Sequence, residues 1–229
     1  MFAALNVIRL KLMSALNLPR DFELSYAYLF FYDKFERCNF FLEKMIELRD
    51  EPTTSPVLSS FFSNDLGAIC DGGCWPFFVN IISKYGAMPI TKFDECYNTM
   101  CTKEMNSVLL KKISIATVEM RKRSNAKGKR AMTPEQVRKF KDTKIMPEIY
   151  KVLVNFMGVP PKPNTEFTWE YRERSTGDSA RGKFHRQKLT PLQFYHDLID
   201  PLAKVSSKIM IAHDPRKEKN KFRRYKSEH

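Results

Sequence analysis

The chain has 229 residues, 43% hydrophobic and 28% charged, with 13 Pro and only 8 Gly. That length suits one large domain or two small ones, and the composition excludes collagen, low-complexity disorder and a multi-span membrane protein. The formal net charge of +13 sits mostly in two runs: six basic residues and no acid in 121–130, and seven basic residues against Glu218 in 216–226. Such an excess bears on solubility and anionic partners rather than on fold.

Residues 1–18 form the most apolar stretch, with Leu5, Ile8, Leu12 and Leu16 spaced for one helix face. Arg9 and Lys11 interrupt it, so it does not read as a bilayer span. It lacks the basic start of a signal peptide. The expectation is an intracellular, cytoplasmic chain without a membrane partner, whose five cysteines are thiols or ligands rather than a disulfide framework. No Ser, Thr, Asp or Asn precedes the first apolar residue, so the helix is expected to start uncapped, as if cut within its length.

Pro19 ends this helix, and residues 24–48 read as a second long one through Tyr28, Phe31, Phe35, Cys38, Leu42 and Met45. Residues 50–64, rich in Pro, Thr and Ser, read as a loop. Asp71-Gly72-Gly73 is a turn feeding a helix over 75–85 that Gly86 closes, and 102–122 is amphipathic. Thr133-Pro134-Glu135-Gln136 and Thr190-Pro191-Leu192-Gln193 each carry the capping-box pattern with Pro at the first helical position. Pro147 interrupts the first of these helices, which then runs to Gly158. Phe167, Trp169 and Tyr171 alternate as in a half-buried strand, and 208–212 reads as a second strand. The class is helix-rich α+β.

Three constellations could carry chemistry. Cys70-x3-Cys74 and Cys96-x4-Cys101 are separated by 21 residues, near zinc-ribbon spacing, but neither pair is a C-x2-C knuckle, so no metal site is expected. Cys74-Trp75 at a helix start is how a papain-type nucleophile is placed. That chemistry also needs an oxyanion donor and a held His base; position 68 is Ala68, and His185, His196, His213 and His229 read as surface residues. Arg121, Lys122, Arg123, Lys127, Lys129 and Arg130 could bind nucleic acid weakly and without sequence preference, since no base-reading motif accompanies them.

Longer stretches point to a family. Phe2-Ala3-Ala4-Leu5-Asn6-Val7-Ile8-Arg9-Leu10, Phe22-Glu23-Leu24-Ser25 and Tyr28-Leu29-Phe30-Phe31-Tyr32-Asp33-Lys34-Phe35-Glu36-Arg37-Cys38 are three of them. They are followed in order by Asp71-Gly72-Gly73-x-Trp75, Lys84-Tyr85-Gly86-x-Met88-Pro89, Phe167-Thr168-Trp169-Glu170-Tyr171 and Asp214-Pro215-Arg216. Together they resemble bleomycin hydrolase and aminopeptidase C, within the papain-like cysteine peptidases.

The resemblance implies the helical half of a papain-like fold with inserted elements and without the β-rich catalytic half. It divides the chain into a helical subdomain (1–120), a basic linker (121–132), an inserted helix and strand region (133–215) and a basic tail unlike the family (216–229). The family's nucleophilic Cys would fall two residues before Met1, its oxyanion Gln further upstream, and its catalytic His and Asn after the chain. These 229 residues are therefore expected to be a bleomycin hydrolase-like thiol aminopeptidase by lineage but inactive alone. The alternative is a non-catalytic anion- or nucleic-acid-binding module. Gly72 and Gly73 resemble the paired glycines that line the family's substrate cleft, where an extended peptide is the partner. The resemblance also implies homohexameric assembly, and no cofactor.

Overall fold

The first helix forms on the expected apolar face. In the computed structural model, which describes residues 1–62, 69–126, 131–175, 182–207, 209–211 and 224–226, α1 spans Phe2–Ala15. It buries Leu5, Ile8 and Leu12, and no side chain caps its start at Met1. Val7 and Leu10 stay exposed on its other side, and Phe2, also exposed, sets its ring edge-on to Tyr26 at 5.9 Å. The helix-rich α+β class is what the chain adopts: long helices and two short antiparallel pairs of strands.

The chain divides into two compact units, with the boundary inside α2 (Tyr26–Glu47) after Leu29. The first unit combines Met1–Leu29, Gly73–Phe93 and Pro161–His229. Within it α4 (Trp75–Tyr85) buries Phe78, Val79, Ile81, Ile82 and Tyr85, and Gly86 caps it at φ 76°. Strands β1 (Phe167–Arg172) and β2 (Phe184–Leu189) pair from Phe167 opposite Leu189 to Arg172 opposite Phe184. That pairing seats Trp169 in the core between Phe22 and Phe194, at ring separations of 6.0 and 4.9 Å. Strand β2 is absent from the sequence reading because its alternation is between half-exposed and exposed residues, with Arg186 and Lys188 on it.

Both predicted capping boxes form. Thr190 accepts from the Gln193 amide while the Gln193 side chain accepts from the Thr190 amide, opening α9 (Pro191–Gln193). A π-turn (Phe194–Ile199) follows and leads into α10 (Asp200–Ala203). In the second unit Thr133 and Gln136 cap α7 (Pro134–Phe140) in the same way. A π-turn (Lys141–Ile145) then leads into α8 (Met146–Met157). In both places the wide turn precedes a proline in the first turn of the next helix, Pro147 or Pro201. The missing N–H and the ring are thereby accommodated without ending the rod. The break therefore comes a turn earlier than Pro147 itself.

The second unit, Phe30–Gly72 and Asp94–Pro160, gathers Phe41, Leu42 and Met45 of α2 into a core. The other contributors are Met105, Leu109 and Ile113 of α6 (Lys103–Ser124), which follows the single turn α5 (Tyr97–Met100), and Ile149 and Leu153 of α8. Two expectations change here. Residues 50–64 are not all loop, because α3 occupies Pro56–Phe62. Ser55 caps it, its Oγ 3.3 Å from the Val57 amide, and Pro56 stands at the first helical position. The block 121–132 is not linker at its start, because Arg121, Lys122 and Arg123 form the last turn of α6, where cations suit the helix dipole. In the first unit, the predicted strand at 208–212 is present as β3 (Ile209–Ile211). It pairs with β4 (Arg224–Lys226), inside the segment read as a basic tail.

A Cβ built on Gly86 would lie 2.1 Å from the Pro191 carbonyl oxygen, which the Ala87 amide also bonds at 3.0 Å. Gly86→Ala should therefore cost at least about 2 kcal/mol, from left-handed strain plus a backbone collision. A thermal or urea midpoint indistinguishable from the parent would contradict this.

Candidate functional site

The turn expected at Asp71-Gly72-Gly73 is a bend at Asp71 followed by irregular backbone at Gly72 and Gly73, and α2 holds the chain as far as Gly72. Helical spacing puts Asp33, Lys34 and Arg37 on one side of that helix. The Lys34 ammonium, fully buried, bonds the carbonyls of Ile69 (3.3 Å) and Cys70 (3.1 Å) and pairs with Asp71 Oδ1 (2.5 Å). Arg37 donates from Nε to Asp33 Oδ2 (2.7 Å), from Nη1 to Cys70 Sγ (3.4 Å) and from Nη2 to the Gly72 carbonyl (2.5 Å). At the start of α6, Thr102 Oγ1 donates to Asp71 Oδ2 (2.6 Å) and Asn106 Nδ2 to Asp71 Oδ1 (3.1 Å).

The electrostatics follow from burial and pairing. Burial pushes the Lys34 ammonium below its ordinary pKa, against the pull of Asp71. Burial works against the Asp71 carboxylate too, but hydrogen bonds from Lys34, Thr102 and Asn106 outweigh it and hold its pKa below the ordinary value. One turn along α2, burial pushes the Cys38 thiol up to about 12, so it is inert packing at neutral pH.

Gly72 and Gly73 are both exposed. A Cβ on Gly72 would meet nothing within 4 Å, and positive φ among the described glycines occurs at Gly86 and Gly158 only. Neither strain nor internal crowding asks for glycine at position 72.

The remaining predicted residues are scattered. Cys74 is the exposed N-cap of α4. His185 Nε2 lies 2.5 Å from Glu173 Oε1 and its ring stacks on Tyr171 at 4.7 Å, so its partners are a carboxylate and a ring rather than a thiol. His213 and His229 lie outside the described residues, as do Lys127, Lys129 and Arg130. Of the first basic run, Arg121 bonds the carbonyls of Leu48 (3.2 Å) and Glu51 (2.5 Å). Arg123 pairs with Glu119 (2.7 Å) and lies over the Phe140 ring, while Lys122 is exposed. Among the described residues, no group of three or more His, Cys, Asp or Glu could hold a metal ion, and no helix is long and apolar enough to cross a membrane.

The braces at Asp33, Lys34, Arg37, Asp71, Thr102 and Asn106 were missed by the sequence reading. One signal was present: Asp33-Lys34 interrupts an apolar run, Phe30-Phe31-Tyr32 before it and Phe35 after it, on a helix with little exposed surface there.

Comparison with known proteins agrees with the motifs. The chain is 36% identical to human bleomycin hydrolase over 217 residues, covering 94% of this chain and 44% of that protein. It is 33% identical to "Cysteine proteinase 1, mitochondrial" of Saccharomyces cerevisiae, covering 94% and 42% respectively. A crystal structure of PepW from Lactobacillus rhamnosis superposes with a TM-score of 0.77 at 30% identity, over 93% of this chain and 43% of that one. The chain thus spans less than half the length of these relatives. The family model described as Peptidase C1-like matches residues 1–229, the basic tail included. This chain belongs to the Peptidase C1-like family.

Proposed function

We propose that these residues form the substrate-side portion of a bleomycin hydrolase-like thiol aminopeptidase. In this reading Gly72 and Gly73 offer their backbone to an extended peptide, and the family's nucleophilic Cys, oxyanion Gln and catalytic His and Asn match no position in the 229 residues. The observation that carries it is Gly72: exposed, without positive φ, with open space where a Cβ would stand. A glycine with no internal cause fits close approach from outside. The block 133–215 is then an insertion on the papain-like plan, assembly is homohexameric, and the compartment is the cytoplasm, although the yeast relative is named mitochondrial.

The test is a titration of the isotopically labelled chain with trialanine amide, followed by nuclear magnetic resonance. Saturable shifts centred on the Gly72 and Gly73 amides are expected. In Gly72→Ala they should disappear while the melting temperature holds. No saturable shift in the parent chain at millimolar peptide would overturn the reading.

The alternative, a nucleic-acid-binding module, has the charge of +13 and the exposed Lys122 behind it. On that reading oligonucleotide affinity should fall steeply between low and physiological salt and vary little with sequence. Arg121→Gln should then lower the melting temperature more than it lowers affinity, because Arg121 ties α6 to the Leu48 and Glu51 carbonyls. An affinity that is insensitive to salt would remove this alternative.

A further inference from the structure

We propose that Arg37 is a positioning residue for the peptide-pairing backbone at Gly72; this rests on the peptide-binding reading of Gly72–Gly73 above. A Gly-Gly pair left to itself has the widest backbone freedom of any dipeptide. Ordering it at the moment of binding would weaken any peptide by that conformational cost. The structure removes part of that freedom in advance, at the first glycine. The carbonyls of Ile69, Cys70 and Gly72 are all turned onto α2, the first two by Lys34 and the third by Arg37.

Arg37 is suited to this because its guanidinium is itself immobilised. Asp33 accepts from Nε, Cys70 Sγ lies against Nη1, and the planar fork then presents Nη2 to Gly72 in one orientation. Lys34 acts on the preceding residues and does not bond Gly72, so the charged donor to the Gly72 carbonyl is Arg37, with the Cys70 thiol beside it at 3.8 Å. A consequence for register follows. The Gly72 carbonyl is committed to Arg37, whereas the Gly73 amide and carbonyl bond no described residue. The backbone groups left to pair with a peptide are therefore the Gly72 amide and the Gly73 amide and carbonyl.

The experiment extends the trialanine amide titration to Arg37→Met and Asp33→Asn, in the full chain with carbonyl carbons labelled. In Arg37→Met the Gly72 carbonyl resonance should move upfield before any peptide is added, reporting the lost charged donor. Peptide affinity should fall at least about tenfold, the scale of one charge-assisted hydrogen bond. Asp33→Asn, which loosens the guanidinium without touching Gly72, should give a smaller shift and an intermediate affinity. If the parent binds peptide and Arg37→Met binds it equally well, the positioning role is wrong while the peptide reading stands. If the parent binds no peptide, the reading beneath it fails first. Should Arg37→Met not fold, Asp33→Asn decides alone, and parental affinity in that variant overturns the proposal.

Discussion

Asp71→Ala should destabilise the chain by about 3–5 kcal/mol, a large part of the stability of an ordinary domain. The change leaves the fully buried Lys34 ammonium with two carbonyl acceptors and, as its remaining negative neighbour, an Asp33 carboxylate already paired with Arg37. It also strips Thr102 and Asn106 of their acceptor. Lys34→Met should cost less, because Asp71 is 47% exposed and can be hydrated when its partner goes. Adding Lys34→Met to Asp71→Ala should recover part of the loss, since an unpaired buried charge costs more than an apolar replacement. Urea unfolding of the four proteins checks the cycle. A single-mutant loss under about 1 kcal/mol, or strict additivity, would show that the pair is dispensable.

The pH dependence has a definite sign. Asp71 binds its proton less readily folded than unfolded, so its stabilisation is complete above the ordinary value of 3.8 and is lost as pH falls through the lower folded value. Lys34 is depressed from 10.5 by burial, so stability rises with pH between its folded value and 10.5. In both windows the unfolded chain holds more protons. The gap in melting temperature between parent and Asp71→Ala should therefore close in acid, and a gap constant from neutral pH to pH 3 would contradict this assignment.

What the sequence reveals and what it hides follow from range. The capping boxes at Thr133 and Thr190 and the stop at Gly86 are local, each written within four residues, and they form as read. The helix over Pro56–Phe62 is hidden because the Pro, Thr and Ser around it have loop composition, although Ser55-Pro56 is itself a helix start. Strand β2 was hidden because its partner, not its own pattern, determines it. The site divides in the same way. Gly72 and Gly73 are visible through resemblance, whereas the brace comes from residues 31 to 37 positions away in sequence. Nothing local connects Arg37 to Gly72. The run at Arg121–Arg123 shows the opposite limit: its charge is plain in the sequence, but its use to tie helices together depends on carbonyls 70 or more residues away.

The largest expected effect concerns activity. Expressed as these 229 residues, the polypeptide should hydrolyse an aminoacyl fluorogenic substrate no faster than a buffer blank at neutral pH with reductant. Covalent hydrolysis needs a nucleophile, a base within hydrogen-bond reach and an oxyanion donor. Removing the nucleophile and base of a comparable triad costs about 10⁶-fold in kcat. Cys74 is the thiol to test, since it is exposed at the start of an eleven-residue helix whose dipole favours a thiolate. A thiolate without a held imidazole can attack but cannot protonate the leaving amine; among the described residues no imidazole bonds Cys74, and His185 has Glu173 and Tyr171 as its partners. Cys74→Ala should accordingly leave the blank-level rate unchanged. Turnover that disappears in Cys74→Ala would make Cys74 a nucleophile in its own right and would overturn the assignment of this chain to the substrate side alone.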